Sequence, residues 1–217
     1  DQMTVPRAET RGPTMRRILL AIALPVLLAG CGAEPVWAPQ EVVSRALYTT
    51  GDEPSITLYT VIRTAGGEGA HSALLVDNDH RAIFDPAGTW RHRAAPERND
   101  VHFGMTPQML EFYIDYHARE TYYVVEQRVP VSAEVAAMAM REIQAYGAVP
   151  KAMCAVSVAQ VLRKVPGFED IGSTYFPRRL MRDFARRPGV QERIITDDDA
   201  DDNTTLLAVQ AVRAAPG

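Results

Sequence analysis

Cysteine is almost absent from this chain, with two thiols, Cys31 and Cys154, in 217 residues. Once Cys31 is assigned to an N-terminal motif described below, Cys154 is a lone thiol, and an intramolecular disulfide is excluded. Long apolar runs are missing as well. The most continuous, Ile18 to Leu28, is about half the roughly 20 residues that a membrane-spanning helix needs. There is no cationic excess, since the formal net charge is −4, so the composition argues against a nucleic-acid binder. Internal repeats are lacking, and the one low-complexity stretch is the acidic run Asp197, Asp198, Asp199, Asp201 and Asp202. No pair of histidines or cysteines has zinc-ligand spacing, and no metal or cofactor is expected.

What is present begins with residues 15–31, MRRILLAIALPVLLAGC. Arg16 and Arg17 precede a short apolar run and then small residues before a cysteine, the layout of a secretory signal. The ending Leu28-Ala29-Gly30-Cys31 resembles the bacterial lipobox. That resemblance implies acylation of Cys31 and cleavage before it, leaving the chain anchored through membrane lipid at the periplasmic face of the cell envelope. Gly32, in place of an aspartate, leans the expectation toward the outer membrane. Two acyl chains hold more firmly than one, which is only marginal. Residues 1–14 are expected to be an upstream extension without a fold, 15–30 the signal and 31–39 a tether. Residues 40–196 would form a single domain, with an acidic tail over 197–217.

Within that domain, residues 40–48 predict a first helix, and SITLYTVIRT (55–64) predicts a strand from its β-formers and alternation. The segments 71–76 and 81–85 flank Asp77-Asn78-Asp79-His80, a polar turn that predicts a hairpin. An irregular loop bearing Pro86, Gly88 and Pro96 should follow. Thr106 before Pro107 predicts a helix start, running to about Arg119. Residues 122–129 predict a strand. Ser132 caps a helix to Tyr146, stopped by Gly147 and Pro150. Cys154 opens a further helix to Lys164, residues 177–187 predict another, and 191–196 a last strand. Hairpin pairing without a regular βαβ rhythm predicts an α+β fold.

The chemistry rests on where Cys154 falls. A helix N-terminus carries unpaired N–H groups and partial positive charge, which stabilise a thiolate and can hold an oxyanion. A solitary cysteine in an apolar helix also reads as inert core. His71 shares a strand face with Ala73 and Leu75, so it is either a satisfied core imidazole or a base for the thiol. If Asp77 pairs with His80, position 86 falls opposite His71 with Asp85 next to it. Asp85 then reads as an acceptor for the imidazole or as an ordinary turn former before Pro86.

The order of these pieces resembles the circularly permuted branch of the NlpC-type papain-like cysteine hydrolases, which includes lecithin:retinol acyltransferase-like proteins. His71-Ser72-Ala73-Leu74-Leu75-Val76 matches the branch's histidine strand. Ile83-Phe84-Asp85-Pro86-Ala87 matches the neighbouring strand with its polar residue, and Cys154 opens its own helix. The resemblance covers roughly residues 55–190. It implies a papain-like sheet packed against helices and a catalytic set of Cys154, His71 and Asp85. The chain departs from the branch at Met153, where a polar residue such as Asn is frequent, and at Asp85, where His or Glu is more usual.

The remaining histidines, His80, His92, His102 and His117, read as surface residues. Tyr113, Tyr116, Tyr122 and Tyr123 read as core or as the lining of a substrate groove. Arg178, Arg179, Arg182, Arg186 and Arg187 give a basic helix face, either solvated or in contact with anionic lipid or cell-wall polymer. The expected activity is a thiol hydrolase or acyltransferase acting on an amide or ester, cell-wall peptide first and a lipid ester next. The alternative is a papain-like binding or scaffolding lipoprotein without chemistry.

Overall fold

Strand β1 (Ser55–Arg63) lies at the centre of the protein, and every residue of it except Arg63 is buried. Its β-branched and aromatic side chains suit a strand covered on both faces. In the computed structural model, which describes residues 32–203 and 205–213, β1 pairs antiparallel with β2 (Gly69–Asp77) on one side and β6 (Tyr122–Pro130) on the other. Beyond β2 lie β3 (Arg81–Phe84), β5 (Val101–Phe103) and β4 (Glu97–Arg98); beyond β6 lies β7 (Gln191–Ile195). Every pairing in this seven-stranded sheet is antiparallel. With the helices on its two faces it makes an α+β fold, in a compact unit that begins at Ala33.

Alternation along the strands builds two cores. Ile56, Leu58, Leu74, Val76 and Phe84 point to one face, which is covered by helices α3 (Ala133–Tyr146), α4 (Cys154–Leu162) and α5 (Pro177–Phe184). The stripe Ala136, Ala139, Met140 and Ile143 is what α3 buries, the spacing of one helical face. Tyr59, Val61, Ala73, Leu75 and Ile83 point to the other face and meet Trp90, Met105 and helix α2 (Pro107–His117) through Met109, Phe112 and Tyr113. A short helix α1 (Gln40–Ala46) adds Val43 to the first core.

Two hydroxyl caps act as predicted. Thr106 Oγ1 accepts from Met109 N at 3.2 Å, and Ser132 Oγ accepts from Val135 N at 3.3 Å. Gly147, at φ 92°, ends α3. The β2–β3 hairpin forms at the polar turn, but its register differs by one residue from the expected one: Asp77 pairs with Arg81, and Leu74 with Phe84. Asp77 Oδ2 accepts two hydrogen bonds from Arg81, from Nε at 2.9 Å and from Nη2 at 2.6 Å, charge-assisted contacts that favour this register.

Two other expectations change. The loop after β3 contains the hairpin β4–β5, turned by Asn99 and Asp100 at φ 46° and 65°. Asn and Asp tolerate that conformation better than other residues carrying a side chain. The acidic run does not end the compact unit. Asp199 accepts from Glu120 N through its carbonyl and pairs with Arg119 through its carboxylate, while Asp201 accepts from Thr121 N and Oγ1. Helix α6 (Leu206–Arg213) then inserts the fully buried Gln210. It accepts from Trp90 Nε1 at 3.3 Å and donates to Phe112 O at 3.0 Å. The expected tether is also tied down, because Ala38 N donates to Glu97 O and Asn99 N to Val36 O. No helix among the described residues is long and apolar enough to cross a membrane. The expected signal and Cys31 lie outside the described residues.

Candidate active site

The β3 ladder stops at Phe84, where the chain turns away: Asp85 N donates to Asp100 O, and Gly88 N to Asp85 O. Continued one step, the observed register sets Asp85 across from Ala73 and therefore on the face that carries His71. The expected register would have set it across from Ser72, on the opposite face. The one-residue difference thus decides whether the two side chains can meet. They do, with His71 Nε2 2.6 Å from Asp85 Oδ1.

Asp85 is held on several sides. Its side chain is fully buried, whereas that of His71 is 16% exposed. Tyr113 OH donates to the same Oδ1 at 2.8 Å. Oδ2 has no hydrogen-bond partner and lies against Gly88, where an added Cβ would fall 1.8 Å from it. Position 88 therefore has to be glycine for Asp85 to keep this place.

Cys154 is the first residue of α4. The preceding Met153 (φ −102°, ψ 8°) supplies no side-chain cap, and Ala152 before it sits at φ 65°. The sulfur is placed so that the His71 ring and the N–H groups of Ser72 and Ala155 each lower the pKa of the thiol. Because Nε2 of His71 is committed to Asp85, Nδ1 is the nitrogen left for sulfur. Three elements, β2, the segment after β3 and the start of α4, thus bring His71, Asp85 and Cys154 together.

The electrostatics follow from these contacts. Burial pushes the Cys154 thiol up, but its hydrogen bond to His71, the charge on that ring and the two N–H groups outweigh it, leaving the thiol below its ordinary value. Burial likewise works against a charged His71, and the Asp85 carboxylate, with a contribution from Cys154, overrides it to raise the imidazole to about 10. Asp85 is driven up by burial and further down by the charge and hydrogen bond of His71, so it stays ionised well below the usual carboxylate range. The set favours a thiolate beside an imidazolium, the charge state of an activated nucleophile.

Two site residues escaped the sequence reading in their roles. Tyr113, read as core or groove lining, is core and also the second donor to Asp85. His117, read as a surface residue, stacks on His71 with ring centroids 5.6 Å apart and planes 6° from parallel. Its Nδ1 is 2.8 Å from Tyr113 O and donates to that carbonyl. Burial, aided by the His71 charge, holds the ring neutral with its pKa lowered to about 4. The signal was the four-residue step from Tyr113 to His117, which puts both on one face of α2. Of the other histidines, two also depart from the surface reading. His92 and His102 are buried and His80 half-buried.

Beside His71 opens a cavity of about 290 Å³, lined by His71, Gly88, Thr89, Tyr116, His117 and Tyr122 among others. Tyr116 and Tyr122 line it, whereas Tyr113 and Tyr123 do not. A larger groove of about 610 Å³ contains none of the three proposed catalytic residues. Among the described residues, two groups of donors lie close enough to hold a metal ion: His71, Asp85 and His117, and Asp115, Asp197 and Asp199. Each group joins residues far apart in sequence, so ligand spacing along the chain does not reveal it. Comparison with known proteins gave no match to any family model, curated protein or solved structure.

Proposed function

We propose that the protein is a thiol hydrolase or acyltransferase of the cell envelope, with Cys154 as nucleophile, His71 as its acid and base, and Asp85 as the group that orients His71. The observation that carries the reading is the His71 Nε2 to Asp85 Oδ1 contact of 2.6 Å at a buried carboxylate, beside an uncapped helix start whose first residue, Cys154, shifts and is shifted by His71. The order of the elements supports the resemblance to the permuted papain-like branch, and the lipobox-like sequence Leu28-Ala29-Gly30-Cys31 supports anchoring through membrane lipid.

In the proposed reaction the Cys154 proton passes to His71 Nδ1 and sulfur attacks the carbonyl carbon of an amide or ester. The developing oxyanion lies near the start of α4, where backbone N–H groups favour negative charge. As the tetrahedral intermediate collapses, the bond to nitrogen or oxygen breaks and His71 gives its proton to the departing group. Water, or an acceptor hydroxyl or amine, then loses a proton to His71 while attacking the thioester, and Cys154 is released with the product acid, ester or amide. Asp85 keeps Nε2 protonated and the ring in place, and Tyr113 holds Asp85. Cell-wall peptide is the first substrate class for such an enzyme at the envelope, and a lipid ester the second.

The competing reading, a papain-like binding lipoprotein without chemistry, draws on the 7% exposure of Cys154. An activated aryl ester separates the two. Incubated with p-nitrophenyl acetate, the wild-type protein should gain one acetyl group on Cys154, detected by mass spectrometry. Cys154→Ala should gain none there, with turnover lower by at least about 10³-fold. Unmodified wild-type Cys154, or full turnover by Cys154→Ala, would contradict the proposal.

A further inference from the structure

Helix α5 covers the sheet with one side and leaves the other unpartnered. Leu180 and Phe184 are fully buried, while Arg178, Arg179, Arg182 and Arg186 are exposed. These arginines fall at one-, three- and four-residue steps and share the outer face. Arg186 pairs with Asp183. Arg187, expected on the same face, instead turns inward and pairs with Asp170. Arg178, Arg179 and Arg182 have no ion-pair partner among the described residues. Immediately before the helix stand two exposed aromatic side chains, Tyr175 (59%) and Phe176 (72%).

Arg178, Arg179 and Arg182 gather three cations on one short helix face of a protein of formal net charge −4, and beside them are large apolar groups held in water. Arginines would engage anionic headgroups while Tyr175 and Phe176 enter the interfacial layer beneath them, the combination that binds helices flat on a membrane surface. A soluble polyanion would satisfy the arginines alone and leave the aromatic pair exposed. We infer that the outer face of α5, with Tyr175 and Phe176, docks the domain on an anionic lipid bilayer.

This contact is separate from the thiol chemistry and from anchoring at Cys31. It also has a consequence for the site. The first turn of α5 packs on the start of β2, where a Cβ at Gly69 would meet Arg178 N and Pro177 Cβ, each at 2.8 Å. Gly69 is two residues before His71. A bilayer held against α5 therefore lies near the end of β2 that carries the proposed base.

The test uses the full chain with Phe176→Trp on vesicles of phosphatidylglycerol and phosphatidylcholine, and on vesicles of phosphatidylcholine alone, with part of the lipid brominated. The signal is emission beyond that of the parent protein, which reads position 176 however the N-terminal segment associates. The expected result is blue-shifted emission quenched by brominated lipid on anionic vesicles, absent on neutral ones and weakened by salt. Each arginine near an anionic surface contributes roughly a fivefold preference. Arg178→Glu/Arg179→Glu/Arg182→Glu should therefore shift the docked population by at least about a hundredfold and abolish quenching, with an unchanged circular dichroism spectrum. Unquenched emission on anionic vesicles, equal quenching on both compositions, or quenching that survives the triple reversal would each overturn the inference. Binding of α5 to soluble polyphosphate with no quenching on vesicles would overturn it in favour of a polyanion partner.

Discussion

The starts of α2 and α3 differ from the start of α4 in what meets their unpaired N–H groups. Thr106 and Ser132 each place a hydroxyl oxygen on an N–H three residues on. At α4 the cap position is Met153, which offers nothing, and Ala152 before it occupies a left-handed conformation that costs about 1 kcal/mol in a residue with a side chain. Cys154 follows, with its sulfur near the N–H of Ala155. Two helix starts are closed by a hydroxyl; α4, like α1 and α5, has no side-chain cap, and of these three only α4 opens with a cysteine. Under the proposed function, that free positive end favours a thiolate at Cys154 over the inert thiol of a core position.

Changes on either side of the contrast should behave differently. The largest effect is expected from Gly88→Ala, whose Cβ would drive against Asp85 Oδ2. Overpacking of this kind costs about 1–3 kcal/mol, measured by urea denaturation. Displacing Asp85 should also slow iodoacetamide labelling of Cys154 at neutral pH. Tyr113→Phe removes one of the two donors to Asp85 Oδ1 and is expected to cost about 1–2 kcal/mol with a smaller drop in labelling. Thr106→Ala and Ser132→Ala should each cost about 1 kcal/mol and leave labelling of Cys154 unchanged. If the cap variants slowed labelling as much as Tyr113→Phe, the distinction between the two kinds of helix start would be lost.

How far the site is legible in sequence follows the same division. Local signals place the capped helices, because a hydroxyl before a proline or three residues before an N–H acts within its own turn. The α+β class and the Asp77–His80 turn are equally local. The hairpin β4–β5 escapes because Asn99-Asp100 joins strands of two and three residues, too short to display alternation. The docking of the acidic run escapes because its partners, Arg119, Glu120 and Thr121, are about 80 positions away. At the site, His71, Asp85 and Cys154 were legible as residue types in an order, but the register joining the first two was not. That register depends on whether Asp77 faces His80 or Arg81; in the folded chain it faces Arg81, whose Nε and Nη2 both donate to Asp77 Oδ2. Tyr113 and His117 act through side chains whose purpose appears only when α2 packs across the sheet.

The most direct test of the central claim is the pH dependence of iodoacetamide labelling at Cys154, read by mass spectrometry of its peptide in the wild-type protein and in His71→Ala. The thiol is lowered by its contact with His71 and the imidazole is raised by Asp85 to about 10. The thiolate–imidazolium pair should therefore exist from the lowered thiol value up to the raised imidazole value. Labelling in the wild-type protein is expected to rise below the ordinary thiol value of about 8.5. His71→Ala should move that rise upward and slow labelling at pH 7 by about 10-fold or more. A wild-type profile that rises only at or above the ordinary thiol value, or one that His71→Ala leaves unmoved, would contradict the account.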